Sequence, residues 1–170
     1  MPLTEATEAD VAEVSRQLGR PARDIVAIAA RCVCGRPTVV HTAPRLGDGT
    51  PFPTTYYLTH KAATAAISGL EASGFMAELQ ELLATDEKIA NAYQKAHLAY
   101  IADRDQTEAK LGLSVPEIAG ISAGGMPTRV KCLHALIGHA LAAGPGVNPI
   151  GDLALEACSW SPAKCACPSD

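Results

Sequence analysis

An α+β class follows from three features of the sequence. Short segments rich in β-branched residues lie between positions 24 and 59, apolar residues recur every three or four positions from Lys61 onward, and aromatic residues make up only 4% of the chain. A core filled mainly by Ala, Leu, Ile and Val suits helices. The expected architecture is a small antiparallel three-stranded meander packed against a mainly helical C-terminal part. With 170 residues, 48% hydrophobic and 19% charged, the chain can bury a core of its own, so one compact domain is the default. We expect one metal-stabilised domain over residues 1–160 and a mobile polar tail over 161–170.

The elements follow in order. Thr7 is placed to cap a first helix, with Asp10 at the third helical position and Val11, Val14 and Leu18 on one stripe; Gly19 and Pro21 end it. Residues 24–31 (DIVAIAAR), 38–42 (TVVHT) and 54–59 (TTYYLT) read as strands. The first connection, at 32–37, is tight and contains Gly35, whereas the second, at 43–53, is longer and carries Asp48-Gly49. Helical spacing then places Ala63, Ile67 and Leu70 on one face, Gly74 as a stop, and Phe75, Leu79, Leu82 and Leu83 on the next face. Asp86 caps a longer helix whose inner stripe runs Ile89, Tyr93, Ala96, His97, Tyr100, Arg104. Past an irregular stretch at 111–122, Gly124-Gly125-Met126-Pro127 opens a helix to about Leu141, with Pro127 in its first position. Asn148 and Asp152 are the candidate caps of a short last helix.

Fourteen Lys and Arg against eighteen Asp and Glu give a formal net charge of −4, which removes the footprint of a general nucleic-acid binder. The N-terminal run MPLTEATEAD is acidic, without the basic and apolar regions of a signal peptide, and no apolar stretch is long enough for a membrane span. A cytoplasmic location is expected, with no membrane partner. In that reducing compartment the six cysteines read as thiols or ligands before disulfides.

Cys32-Val-Cys34-Gly sits at the expected hairpin tip, where two thiolates from one turn can reach the same ion. In a meander the third strand rises again to the same end, which brings His60 beside the turn. Cys132, near the start of the glycine-opened helix, is the candidate fourth ligand. Cys32, Cys34, His60 and Cys132 would form a closed Cys₃His site of the structural zinc type. The bland reading is two buried cysteines and an exposed histidine. His134 is a rival for the fourth place, and it can share an ion with Cys132 only if the helix begins after Cys132, since a regular helix turns about 200° over two residues. Cys158, Cys165 and Cys167 read as incidental, with a metal-scavenging or oxidisable role for the terminal Cys-Ala-Cys as the alternative.

Gly124 and Gly125 ahead of a helix, with Arg129 and Lys131, form a candidate anion-binding site, against the alternative of a turn that lets a helix start close to the sheet. His97, His134 and His139 are candidate proton-transfer groups if they converge in a cleft. The expected role is metal-dependent binding or regulation with a small anionic ligand or a protein partner. The alternative is a metal- or cluster-dependent enzyme acting on a small phosphorylated or anionic substrate.

The runs 31–35 (RCVCG), 42–59 (TAPRLGDGTPFPTTYYLT), 122–134 (SAGGMPTRVKCLH) and 143–152 (AGPGVNPIGD) together resemble one family, the actinobacterial domain-of-unknown-function family numbered five hundred and one. The resemblance spans about residues 8 to 158. It implies small cytoplasmic proteins without an assigned activity, often encoded beside a septum-formation initiator and an exopolyphosphatase. The resemblance implies a cysteine at the position of His60 in many relatives. Histidine there keeps a zinc-competent donor and weakens the alternative of an iron–sulfur cluster, which favours all-thiolate ligation. The tail after Trp160 departs from the family pattern, so nothing is implied for Cys165 or Cys167.

Overall fold

Caps and glycines written into the sequence set the element boundaries of the protein, whose residues 2–169 are described by a computed structural model. Helix α1 (Glu8–Leu18) opens on a reciprocal pair: Thr7 Oγ1 accepts the Asp10 amide at 3.1 Å and Asp10 Oδ2 accepts the Thr7 amide at 3.0 Å. Three strands follow, β1 (Ile25–Arg31), β2 (Pro37–Thr42) and β3 (Tyr56–Leu58). Five further helices complete the chain: α2 (Lys61–Ala72), α3 (Phe75–Thr85), α4 (Glu87–Leu111), α5 (Leu133–Ala143) and α6 (Pro149–Ala157), with one 3-10 turn at Pro116–Ile118. The strands form one antiparallel sheet in the order β1-β2-β3, so the class is α+β as expected.

Strand β2 is central and buried at every position because both faces of the sheet are covered. On one side Val40 and Ile28 pack with Val14 of α1. On the other Val39, Tyr56 and Leu58 pack with Leu133, Leu136 and Ile137 of α5 in the main core. Alternation along the strand assigns neighbouring valines to opposite layers. Helix α5 lies closest to the sheet. A Cβ on Gly138 would stand 2.8 Å from the Tyr56 carbonyl oxygen, so only glycine permits this approach. The inner stripe expected for the long helix α4 is also found, with Tyr93, Ala96, His97, Tyr100 and Arg104 all buried.

The structure departs from expectation at the start of α5, which lies at Leu133 and not at Pro127. Gly124 and Gly125, at φ +67° and +97°, fold the chain into a turn whose carbonyl oxygens accept the Lys131 and Arg129 amides at 2.8 and 2.9 Å. A Cβ on Gly125 would stand 2.6 Å from the Arg129 carbonyl oxygen. The two glycines therefore serve a tight turn ahead of an extended approach to the helix, and they do not present a helix N-terminus. Among the described residues no helix is long and apolar enough to cross a membrane.

Candidate metal centre

The hairpin between β1 and β2 closes through two backbone bonds, Cys32 N–H to Arg36 O and Gly35 N–H to Cys32 O, both 2.8 Å, with Gly35 at φ +92°. This turn buries Cys32 and leaves Cys34 exposed at the tip. The C-terminal segment returns to the same place. Trp160 is buried with its ring centroid 5.4 Å from that of His60, and Arg36 Nη1 donates to Pro168 O at 2.6 Å. Segment 161–168, expected to be mobile, thus lies against the hairpin, and its two thiols join the pair at the tip. The sulfurs of Cys32, Cys34, Cys165 and Cys167 all lie within 4.8 Å of one another, with Cys34 and Cys167 at 3.5 Å. All four are free thiols, and the arrangement can hold a metal ion.

The electrostatics of the four thiols are uneven. The backbone amide of Arg36 favours the Cys34 thiolate and holds its pKa near 7, whereas burial pushes Cys32 up and Cys167 up to about 12. Cys34 therefore ionises before Cys32 and Cys167. His60 stands beside the group. Its Nδ1 accepts the Ala63 amide at 3.3 Å as the N-cap of α2, and its Nε2 lies 3.2 Å from Cys167 Sγ. An acceptor Nδ1 leaves the ring proton on Nε2, directed at sulfur.

The four ligands expected from sequence are thus divided. Cys32 and Cys34 share a site with the tail thiols, His60 contacts that site through Cys167, and Cys132 belongs to a second group with Glu71 and His134. The physical reason lies in the approach to α5: Cys132 is the extended N-cap residue, at φ −147° and ψ 107°, and the last turn of α2 brings Glu71 to it.

Each of the three candidate proton-transfer histidines has partners of its own. His97 Nδ1 lies 2.7 Å from Ser122 Oγ, and burial holds its pKa down. His139 Nδ1 lies 3.1 Å from Asn148 Nδ2, its ring stacks on Tyr56, and burial lowers its pKa to about 4. His134 is held by Glu71, its Nδ1 2.7 Å from the carboxylate. Of the expected anion site, Arg129 and Lys131 are exposed, and Gly124 and Gly125 form the turn described above.

Sequence reasoning read Cys165 and Cys167 as incidental, with metal scavenging as the alternative, and passed over Glu71. The available signal for the first two was the repetition of Cys-x-Cys, a two-plus-two ligand pattern; Glu71 carried none. A model of the family described as proteins of unknown function, DUF501, matches residues 28–156. No curated protein and no solved structure matches the chain. The matched stretch contains Cys32, Cys34, His60 and Cys132 and ends before Cys165 and Cys167.

Proposed function

The chain belongs to the DUF501 family, and we propose that it is a metal-binding protein whose Cys32, Cys34, Cys165 and Cys167 hold a single ion, zinc, in a binding or regulatory role. One observation carries this reading: four sulfurs from two chain segments lie within 4.8 Å of one another. Zinc–sulfur bonds of about 2.3 Å in a tetrahedron separate the sulfurs by about 3.8 Å, close to the Cys34–Cys167 distance. A cluster would hold its ligand sulfurs apart by its own body, so this spacing suits one ion better than an iron–sulfur cluster. Four protein ligands close the coordination sphere, the pattern of a structural ion and not of a Lewis acid open to substrate.

The surroundings support the same reading. The His60 Nε2–H donates toward Cys167 Sγ and the Arg36 amide toward Cys34 Sγ, the kind of outer hydrogen bonding that stabilises metal thiolates. His60 in this arrangement is a donor to a ligand and not itself a ligand. Six free thiols fit a reducing compartment.

The test compares the full chain with Cys165→Ser/Cys167→Ser, both purified without added metal. Elemental analysis is expected to show the double variant short by about one equivalent of zinc, with a lower melting temperature. Equal zinc content in the two proteins would overturn the proposal.

A further inference from the structure

Where the α5 helix begins decides what Cys132 and His134 can do. Had α5 started before Cys132, the two side chains would project about 200° apart. It starts at Leu133, with Cys132 extended ahead of it, and Cys132, His134 and Glu71 each offer a donor atom within 4.8 Å of the other two. Glu71 comes from the last turn of α2, so two helices and the N-cap residue of one of them build the group.

Each donor is oriented from behind. His134 turns Nδ1 to Glu71 Oε1 at 2.7 Å, while its Nε2 lies 3.3 Å from the Thr64 carbonyl oxygen and 3.2 Å from Ser68 Oγ. A carbonyl and a carboxylate can only accept, so Nε2–H donates to Thr64 and Nδ1–H to Glu71, and a bound ion would take the place of the Nδ1 proton between the carboxylate and the thiol. This is the orientation of a metal-ligating histidine, whose second ring nitrogen donates to a backbone carbonyl. Glu71 Oε2 accepts the Leu133 amide at 3.2 Å, which leaves Oε1 for the shared centre. Cys132 is fixed by its place as the extended N-cap residue of α5, where its carbonyl oxygen accepts the Leu136 amide at 3.3 Å.

We propose that Cys132 Sγ, His134 Nδ1 and Glu71 Oε1 form a second metal site, separate from the four-cysteine centre, that takes one divalent ion of the zinc class through three protein ligands and leaves one coordination position open. Mixed sulfur, nitrogen and oxygen donors select a borderline ion such as zinc over magnesium or calcium. Three protein ligands are the number found where a water or small ligand occupies the fourth place. His134 and Glu71 keep about a quarter of their side-chain surface exposed, at 26% and 22%, so the position is reachable from solvent.

Cobalt is the probe, titrated into Cys165→Ser/Cys167→Ser so that the four-cysteine centre does not contribute. This variant is expected to bind about one equivalent, with visible bands typical of tetrahedral cobalt. Adding Cys132→Ser, or separately Glu71→Gln, is expected to weaken that binding at least tenfold. Glu71→Gln preserves the side-chain length and an acceptor for the Leu133 amide, so it keeps the test valid if Cys132→Ser does not fold. Azide is expected to shift the bands by taking the open position. Absence of cobalt binding in the tail variant, unchanged affinity in Glu71→Gln, or a spectrum indifferent to azide overturns the proposal. The outcome is distinct from failure of the first centre, which appears as equal zinc content with and without the tail thiols.

Discussion

His139 and His41 are two residues through which pH acts on the folded state. His139 is sealed between the rings of Tyr56 and Tyr100, with Nδ1 at Asn148 and, among the described residues, no partner for Nε2. His41 is likewise buried, bonded through Nε2 to Thr107 Oγ1 at 2.8 Å and against the Tyr56 ring. Burial lowers both pKa values to about 4, so the native protein keeps these rings neutral where the unfolded chain protonates them near 6.5. Between those values the unfolded state binds more protons, so stability is full above about pH 6.5 and falls as pH drops toward 4, by up to about 3 kcal/mol per ring. Urea unfolding of metal-free protein should therefore show a lower midpoint at pH 5.0 than at 7.5. His139→Gln should flatten this dependence, and an unchanged slope would show that the ring is not responsible. Asn148 matters for the same core, since it caps α6 through Gly151 N–H at 2.9 Å while its amide nitrogen serves His139. Asn148→Ala should cost about 2–3 kcal/mol in chemical denaturation, the loss of a cap plus a buried ring nitrogen left without its donor. The cap was legible in the sequence, and the partnership with His139 was not, because nothing in the spacing of the two residues says that α6 folds back on α5.

At the scale of elements, the capping signals of α1, α3 and α4 were read correctly, and the start of α5 was not. Thr7 with Asp10, Gly19, Gly74 and Asp86 mark helix ends through bonds within a few residues, so the sequence shows them directly. The Gly124-Gly125-Met-Pro127 run misled because two glycines serve a turn of positive φ as well as they serve a helix start. Helix α5 is then defined by what it must approach. Gly138 meets the Tyr56 carbonyl oxygen, and Gly151 of α6 meets the Leu136 carbonyl oxygen, both backbone atoms that cannot rotate aside. Alanine at either position would gain up to about 1 kcal/mol of helix propensity and lose about 1–3 kcal/mol to overpacking. The second effect should win. Gly138→Ala and Gly151→Ala are each expected to lower the melting temperature, and a rise in either would show that the helices can separate without loss.

For the molecule as a whole, the tail is the part whose position depends on distant chain. Cys34 and Cys167 are 133 residues apart, and closing such a loop in the unfolded chain costs about 4 kcal/mol. The unfolded state therefore assembles the four thiols poorly, and the binding energy of an ion passes to the fold. Deleting residues 161–170 should cost little in metal-free protein and much more in zinc-loaded protein, read as two pairs of melting curves. Equal losses would uncouple the tail from the ion. A contact of this range has no local signature: the Cys-x-Cys at the hairpin announced half of a centre, and the polar, proline-containing tail looked like chain without a fixed place. The hairpin cysteines were found because a turn forces them together, and the family match stops before the residues that complete the group.

The burial of Trp160 beside His60 gives the protein its own optical gauge. It is the only tryptophan of the chain, it lies 5% exposed at the root of the tail, and its ring neighbours the histidine that touches Cys167. Lifting the tail would carry this indole into water and shift its emission to the red, while a paramagnetic ion seated among the thiols would quench it in place. Loss of the ion and departure of the tail are therefore separable by eye in a single fluorescence titration, without a label and without altering any residue of the centre.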